Sequence, residues 1–437
     1  MKLSLIAMSI IALIGPFGAI AQSLPRTTPQ EAGLSAERLD KIKPLEEKYV
    51  SSGQLAGGVM LIARRGKVAY FESFGNMDAE AHKPMAANAI FRIYSMTKPI
   101  VAAAALTLYE DGKFSLLDPV AKYLPEFAAM KVAIDKTDAA TGRRVYYTVP
   151  AERPVTVLDL MRHTSGMTNQ GPRDERGDLI LPRLALHTHT LAEGIKLLAG
   201  VPLVHQPGTG YDYSPGPDVV GRLIEIWSGE PLDQYLEERI FKPLHMPDTG
   251  FRVPEEKWNR LAVLYDAAAD GSIVRTTGEA QDGYRKKPIF LSGAGGLVST
   301  TADYARFAQM LLNEGELDGA RILGPKTVDL MRSDLLGDLP VFGGPMLPGY
   351  GFGLSVAVNR GPAKTAAIGS AGEYYWEGAA ASLFFIDPQE NLITVYMIQK
   401  RNGIAISREY KRMVYQAIVE KERAGSAGGG EHFPDHK

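Results

Sequence analysis

The sequence predicts an α/β chain of the α+β kind: an antiparallel sheet built from both chain ends and flanked by helices, with a mainly helical lobe beside it. Three observations predict it. Paired strand-like runs lie near each end of the chain, an alanine-rich helix follows the first pair, and helical segments between Pro- and Gly-rich loops fill the middle.

Taken in order, "SAERLDKIKPLEEKYVSSG" reads as an amphipathic helix with Ser35 as N-cap and Gly53 just past its end. "GGVMLIARRGKVAYFESFGN" is two strands joined at Arg65-Gly66. Ser95 to Gly112 reads as a helix closed by Asp111-Gly112. From about Leu116 to Phe290 strand signals are sparse, and "TVLDLMRH", "TLAEGIKLLAG" and "DVVGRLIEIWSG" read as helices. Thr300 or Thr301 caps a helix running to about Asn313. "AAASLFFIDPQENLITVYMIQ" is a second hairpin with Asp387-Pro388 in its turn, followed by the helical "ISREYKRMVYQAIVEKERAG".

The expected organisation is a leader at 1–21, a sheet domain from 22–115 and 291–422, a mainly helical domain at 116–290, and a flexible tail at 423–437. In the leader, one lysine, an apolar run, Gly15-Pro16 and then Ala19-Ile20-Ala21 fit a signal peptide cleaved near Ala21-Gln22. An uncleaved anchor lacks that small-residue ending. The expectation is therefore export, to the periplasm or beyond, with no membrane span in the mature chain.

A formal net charge of -2 without a basic run argues against nucleic acid as a partner. The absence of cysteine excludes a thiol nucleophile, thiolate metal sites and disulfides. His187 and His189 form a lone pair of metal-ligand type without a third partner, so neither metal nor cofactor is expected.

Ser95 and Lys98 stand three residues apart, on one face of a helix start. A serine hydroxyl is a poor nucleophile until a base takes its proton. The positive end of the helix disfavours an ammonium and favours a developing alkoxide, which suits a nucleophile beside its base. From these residues alone, a capping serine followed by a solvated lysine is the favoured reading. No G-x-S-x-G occurs, so a nucleophile elbow is unsupported. His163, in "HTSGM", reads as a structural hydrogen-bonder in a loop.

"IYSMTKPIVAAAALTLYEDGKFSLLDPVAKYLPEF" resembles the active-site helix of the penicillin-recognising serine hydrolases. "VTVLDLMRHTSGM", "QPGTGYDYSPGPDVVGRLIE" and "GAGGLVSTTADYARFAQMLLNEGELDGARIL" resemble their later blocks, in the same order. The resemblance runs from about Ser35 to Lys411 and is greatest to family VIII carboxylesterases, relatives of class C β-lactamases. It implies a β-lactamase-like fold.

It also implies roles. Ser95 would be the nucleophile and Lys98 the lysine of the S-x-x-K motif, with Tyr213 sharing proton transfer. An ammonium beside a phenol favours phenolate, which could act as base toward Ser95 and as acid toward the leaving group. Tyr211, two residues earlier, reads as packing. Pro215 stands where the lactamases carry an asparagine, and its side chain cannot donate to an amide-bearing substrate. Trp376, Glu377 and Gly378 resemble the W-x-G form of the third motif and would bind substrate. Lys364-Thr365-Ala366 is a poorer match, without the glycine. The backbone N–H groups of Ser95 and Ala379 would form the oxyanion hole. Trp376 replaces a cation, so a carboxylate-bearing β-lactam loses a Coulombic partner, and Glu377 would add repulsion if it faced the cleft.

The reading is a serine carboxylesterase for small or short-chain esters, working through a Ser95 acyl-enzyme. The alternatives are a β-lactamase or D-alanyl carboxypeptidase or aminopeptidase, and a non-catalytic ligand-binding homologue.

Overall fold

The computed structural model describes residues 23–169, 171–402 and 406–422. The expected leader at 1–21 and tail at 423–437 lie outside the described residues. Among the described residues, no helix is long and apolar enough to cross a membrane.

The central sheet has eight strands, all paired antiparallel. Three come from the N-terminal part: β1 (Gly57–Arg64), β2 (Lys67–Asp78) and β3 (Lys83–Pro84). Five come from the C-terminal part: β4 (Tyr350–Phe352), β5 (Ala357–Asn359), β6 (Tyr374–Glu377), β7 (Leu383–Asp387) and β8 (Leu392–Ile398). Their order is β4-β5-β6-β7-β8-β1-β2-β3, so β1 and β8 join the two chain ends, with Gly58 opposite Ile398. The β1–β2 turn falls at Arg65-Gly66, both at positive φ, as a two-residue hairpin loop requires.

Residues directly opposite on paired strands share a face. Trp376, Phe384 and Val395 are in register on one face, where Phe384 meets Tyr304. Leu383 and Tyr396, Phe385 and Thr394 occupy the other, which meets Tyr410 and Tyr415. The sheet is therefore covered on both sides, which is why β1, β7 and β8 are buried along their whole length.

The principal helices are α1 (Ile42–Ser51), α2 (Thr97–Glu110), α3 (Gly216–Ser228), α4 (Thr301–Leu312) and α5 (Ile406–Tyr415), of which α1, α4 and α5 lie against the sheet. The helix expected from Ser35 is two pieces, Ala36–Leu39 and α1, broken at Asp40-Lys41. Pro44 is the cause: its ring clashes with the carbonyl four residues back, at Asp40. α4 starts on Thr300, whose side chain accepts from the Asp303 N–H. α2 is buried at every position from Thr97 to Leu108, as an alanine-rich helix apolar on all sides must be. It packs against α3, and one continuous apolar core runs from the sheet through both helices.

Between Leu116 and Phe290 the helices Val157–Met161, Leu191–Ala199 and α3 form where the sequence places them, the first two on capping boxes at Thr156 and Thr190. A β-hairpin, Lys131–Thr137 with Arg144–Pro150, also lies here and was not foreseen. α5 ends at Tyr415, sooner than its sequence suggests. There Ala417 O accepts the Ser35 N–H and Ile418 pairs with Leu34, so the chain leaves the helix to tie down the N-terminal segment.

Candidate active site

The chain reaches Ser95 by a strained turn. Tyr94 has φ +43°, a left-handed conformation rare for a bulky residue, and leads into the single 3-10 turn Tyr94–Met96 ahead of α2. Surrounding contacts hold the turn. Ile93 N–H donates to Leu297 O at 3.1 Å, and Tyr304 Oη donates to Met96 O at 2.9 Å. Ser95 itself is half-buried, while Lys98 is 2% exposed.

Two side chains converge on Ser95 Oγ. Tyr213 Oη donates to it at 2.7 Å, and Lys98 Nζ donates to it at 3.1 Å. Lys98 Nζ also donates to Ala294 O at 2.6 Å and lies 4.6 Å from the centre of the Tyr213 ring. Of the three residues expected to act together, Lys98 and Tyr213 are thus both within hydrogen-bond reach of Ser95.

Tyr213 is placed from both sides. Its N–H donates to Gly343 O at 3.2 Å, and its carbonyl accepts the Asn169 N–H at 2.9 Å. Behind it sits His163, fully buried at φ +59°, its ring 4.8 Å from that of Tyr213. His163 Nδ1 accepts the Ser214 N–H at 3.2 Å and lies 2.9 Å from Ser214 Oγ. Burial, reinforced by the Lys98 charge, pushes His163 well below the usual imidazole range, so it stays neutral. It is a structural support, as its sequence suggests. Tyr211 is fully buried against His163 and Phe352, also as expected.

Strand β6 forms the opposite wall, packed against the Tyr94–Met96 turn. A side chain at Gly378 would place Cβ 2.5 Å from Ile93 O, so only glycine permits this approach. Trp376 is buried, its ring 5.5 Å from Tyr213 and 5.2 Å from Phe352. Its indole N–H has no hydrogen-bond partner among the described residues. Glu377 leaves the strand on the other face, beside Tyr375, because successive side chains alternate. Ala379 is exposed just beyond, in the turn where Gly378 N–H donates to Ser382 O. Lys364-Thr365-Ala366 lies on the short helix Pro362–Thr365 and at its end, not on a strand.

Two groups that the sequence did not flag complete the surroundings. The Ala294 carbonyl anchors Lys98, and Asp218, 6% exposed, accepts from Ser292 Oγ at 2.7 Å and from the Ala294 N–H at 2.8 Å. His187 is exposed, and no three metal-binding side chains cluster among the described residues. A separate hollow of about 620 Å³, between residues 230–241 and 247–257, is lined by none of Ser95, Lys98, Tyr213 and Trp376.

This sheet, with a serine, lysine and tyrosine joined at the start of a buried helix, is that of a β-lactamase-fold serine hydrolase. The chain belongs to the Beta-lactamase family, which it matches over residues 42–416. It is 36% identical over 363 residues to an uncharacterised protein of Mycobacterium tuberculosis, covering 80% of this chain and 86% of that one. It is 31% identical over 383 residues to Esterase EstB of Burkholderia gladioli, covering 83% and 90%. Among solved structures, EstCE1, described as a hydrolase with promiscuous acyltransferase activity, superimposes with a TM-score of 0.72. Identity there is 26%, over 88% of this chain and 99% of that one.

Proposed function

We propose that the protein is a serine carboxylesterase that hydrolyses small or short-chain esters through a Ser95 acyl-enzyme. The observation that carries this reading is the double contact on one hydroxyl: Tyr213 Oη at 2.7 Å and Lys98 Nζ at 3.1 Å from Ser95 Oγ. Esterase EstB, among its relatives, supports it.

Ser95 Oγ attacks the ester carbonyl carbon, and its proton passes to the Tyr213–Lys98 pair. The carbonyl oxygen takes the negative charge, held by the N–H groups of Ser95 and Ala379. Collapse breaks the bond to the alcohol oxygen, which leaves with the proton the pair had taken. Water then adds to the acyl-enzyme by the same route, and the carboxylic acid departs as Ser95 regains its proton.

Two residues favour esters over β-lactams. Pro215 offers no side-chain donor to an amide, and the buried Trp376 stands where a cation would attract a substrate carboxylate. The test is turnover of a short-chain p-nitrophenyl ester and of a chromogenic cephalosporin, each beside Ser95→Ala. Ester turnover that vanishes in Ser95→Ala, with little cephalosporin turnover, is the expected result. The reverse preference would make the protein a β-lactamase, and full esterase activity in Ser95→Ala would refute the mechanism.

A further inference from the structure

We propose that Asp218 is a positioning residue that sets the protonation of Lys98 from across residue Ala294. The proposal rests on the reading of Ser95, Lys98 and Tyr213 given above.

Asp218 is an almost fully buried carboxyl that makes no direct ion pair among the described residues. Its Oδ1 accepts from Ser292 Oγ at 2.7 Å and from the Ala294 N–H at 2.8 Å. On its other side the same residue, Ala294, offers its carbonyl to Lys98 Nζ at 2.6 Å. Residue 294 therefore stands between a carboxylate and an ammonium, each drawing on one of its polar groups. The two groups belong to successive peptide units on either side of the Ala294 Cα, so carboxylate and ammonium act on one another through space across a low-dielectric interior.

The placement is built in. Asp218 lies in the first turn of α3, whose positive end favours an anion. Tyr213 lies five residues upstream, so one short segment carries both the phenol and the distant counter-charge. The loop from Ser292 to Gly296 is wedged between α3 and the Tyr94 turn. At Gly293 a Cβ would lie 2.4 Å from Pro217 O, so the loop cannot drift without moving the start of α3.

Burial pushes the Asp218 carboxyl up, while Ser292, the Ala294 and Gly293 amides and the Lys98 charge pull it toward its ionised form. Other charged groups nearby are already matched. Asp159, on the helix Val157–Met161 packed against α3, pairs with Arg153 and Arg162, and Arg222 of α3 pairs with Glu225. His163 is neutral. Lys98 is thus the charge that Asp218 answers, and losing the carboxylate removes stabilisation of the ammonium.

The sign follows. Without the negative charge, the Lys98–Tyr213 pair gives up its proton at lower pH, and the form able to accept the Ser95 proton appears earlier. The experiment is the rate of fluorophosphonate labelling of Ser95 against pH, for wild type, Asp218→Asn, Asp218→Ser and Ser292→Ala, with thermal melting of each. The expected result is an acid limb moved down by about one pH unit in both Asp218 variants, the size of shift a nearby opposite charge produces. Ser292→Ala, which keeps the charge, holds the wild-type midpoint. A folded Asp218 variant with an unmoved midpoint overturns the proposal while leaving the Ser95 reading intact. Wild-type protein that takes no label at Ser95 overturns the Ser95 reading, and this proposal with it.

Discussion

Glu46 offers the most quantitative test of the structure. It lies on α1, 3% exposed, and its Oε1 has no hydrogen-bond partner among the described residues. Burial, with Glu72 and Glu47 adding repulsion, raises its carboxyl from the ordinary 4.5 to about 8. Below pH 4.5 the folded and unfolded chains both carry this proton, and the group costs nothing. As pH rises, the unfolded chain ionises first, so stability is lost progressively until the folded group also titrates near pH 8. The full gap of some 3.5 units is worth about 4.8 kcal/mol at 1.36 kcal/mol per unit, of which about 3.5 kcal/mol is lost between pH 5 and pH 8. Glu46→Gln keeps the shape and removes the titration. Its stability relative to wild type, from urea midpoints and slopes at pH 5 and pH 8, should therefore improve by about 3.5 kcal/mol across that interval. Parallel losses in the two proteins would mean that Glu46 is charged in the folded state, and the reasoning would fail.

Further outcomes follow from the site. Tyr213→Phe removes the hydroxyl that meets Ser95 Oγ at 2.7 Å but leaves the ring packed on His163 and Trp376, so kcat should fall about 10²- to 10⁴-fold at nearly unchanged melting temperature. Steady-state kinetics check this, and near-full activity would remove Tyr213 from proton transfer. Gly378→Ala forces β6 and the Ile93–Ser95 turn apart and should cost roughly 100-fold in kcat/KM, with the protein still folded by circular dichroism. Pro215→Asn suits the N-cap it would occupy and restores an amide donor, so the ratio of cephalosporin to ester turnover should rise.

How legible the molecule was in its sequence depends on the range of the interaction concerned. The terminal hairpins and the Thr300-capped helix are local: turn residues, alternation and a cap lie within a few positions of one another. Ser95, Lys98 and Tyr213 were visible because a motif carries them, and the fold brings them together although Tyr213 lies 118 residues from Ser95. The anchor of Lys98 was not visible, because it is the Ala294 backbone carbonyl, 196 residues away, and a carbonyl has no side-chain signature. Asp218 was hidden for a related reason, since its partners are a serine and an amide in a distant loop. The hairpin at 131–150 escaped because its strands bury little of either face, leaving no clear alternation of apolar and polar residues. The end of α5 is fixed by tertiary pairing of Ile418 with Leu34, against a local sequence that would continue the helix.

The central claim, that Ser95 carries the acyl group, is tested most directly by mass spectrometry of the protein quenched during turnover of a p-nitrophenyl ester. Trypsin releases the peptide from Ile93 to Lys113, because the Lys98-Pro99 bond resists cleavage, and Ser95 is its one serine. This peptide should gain the mass of the acyl group at Ser95, and the Ser95→Ala protein should gain none. An acyl group found on another residue, or ester turnover that leaves Ser95 unmodified in a trapping experiment with a fluorophosphonate, would contradict it.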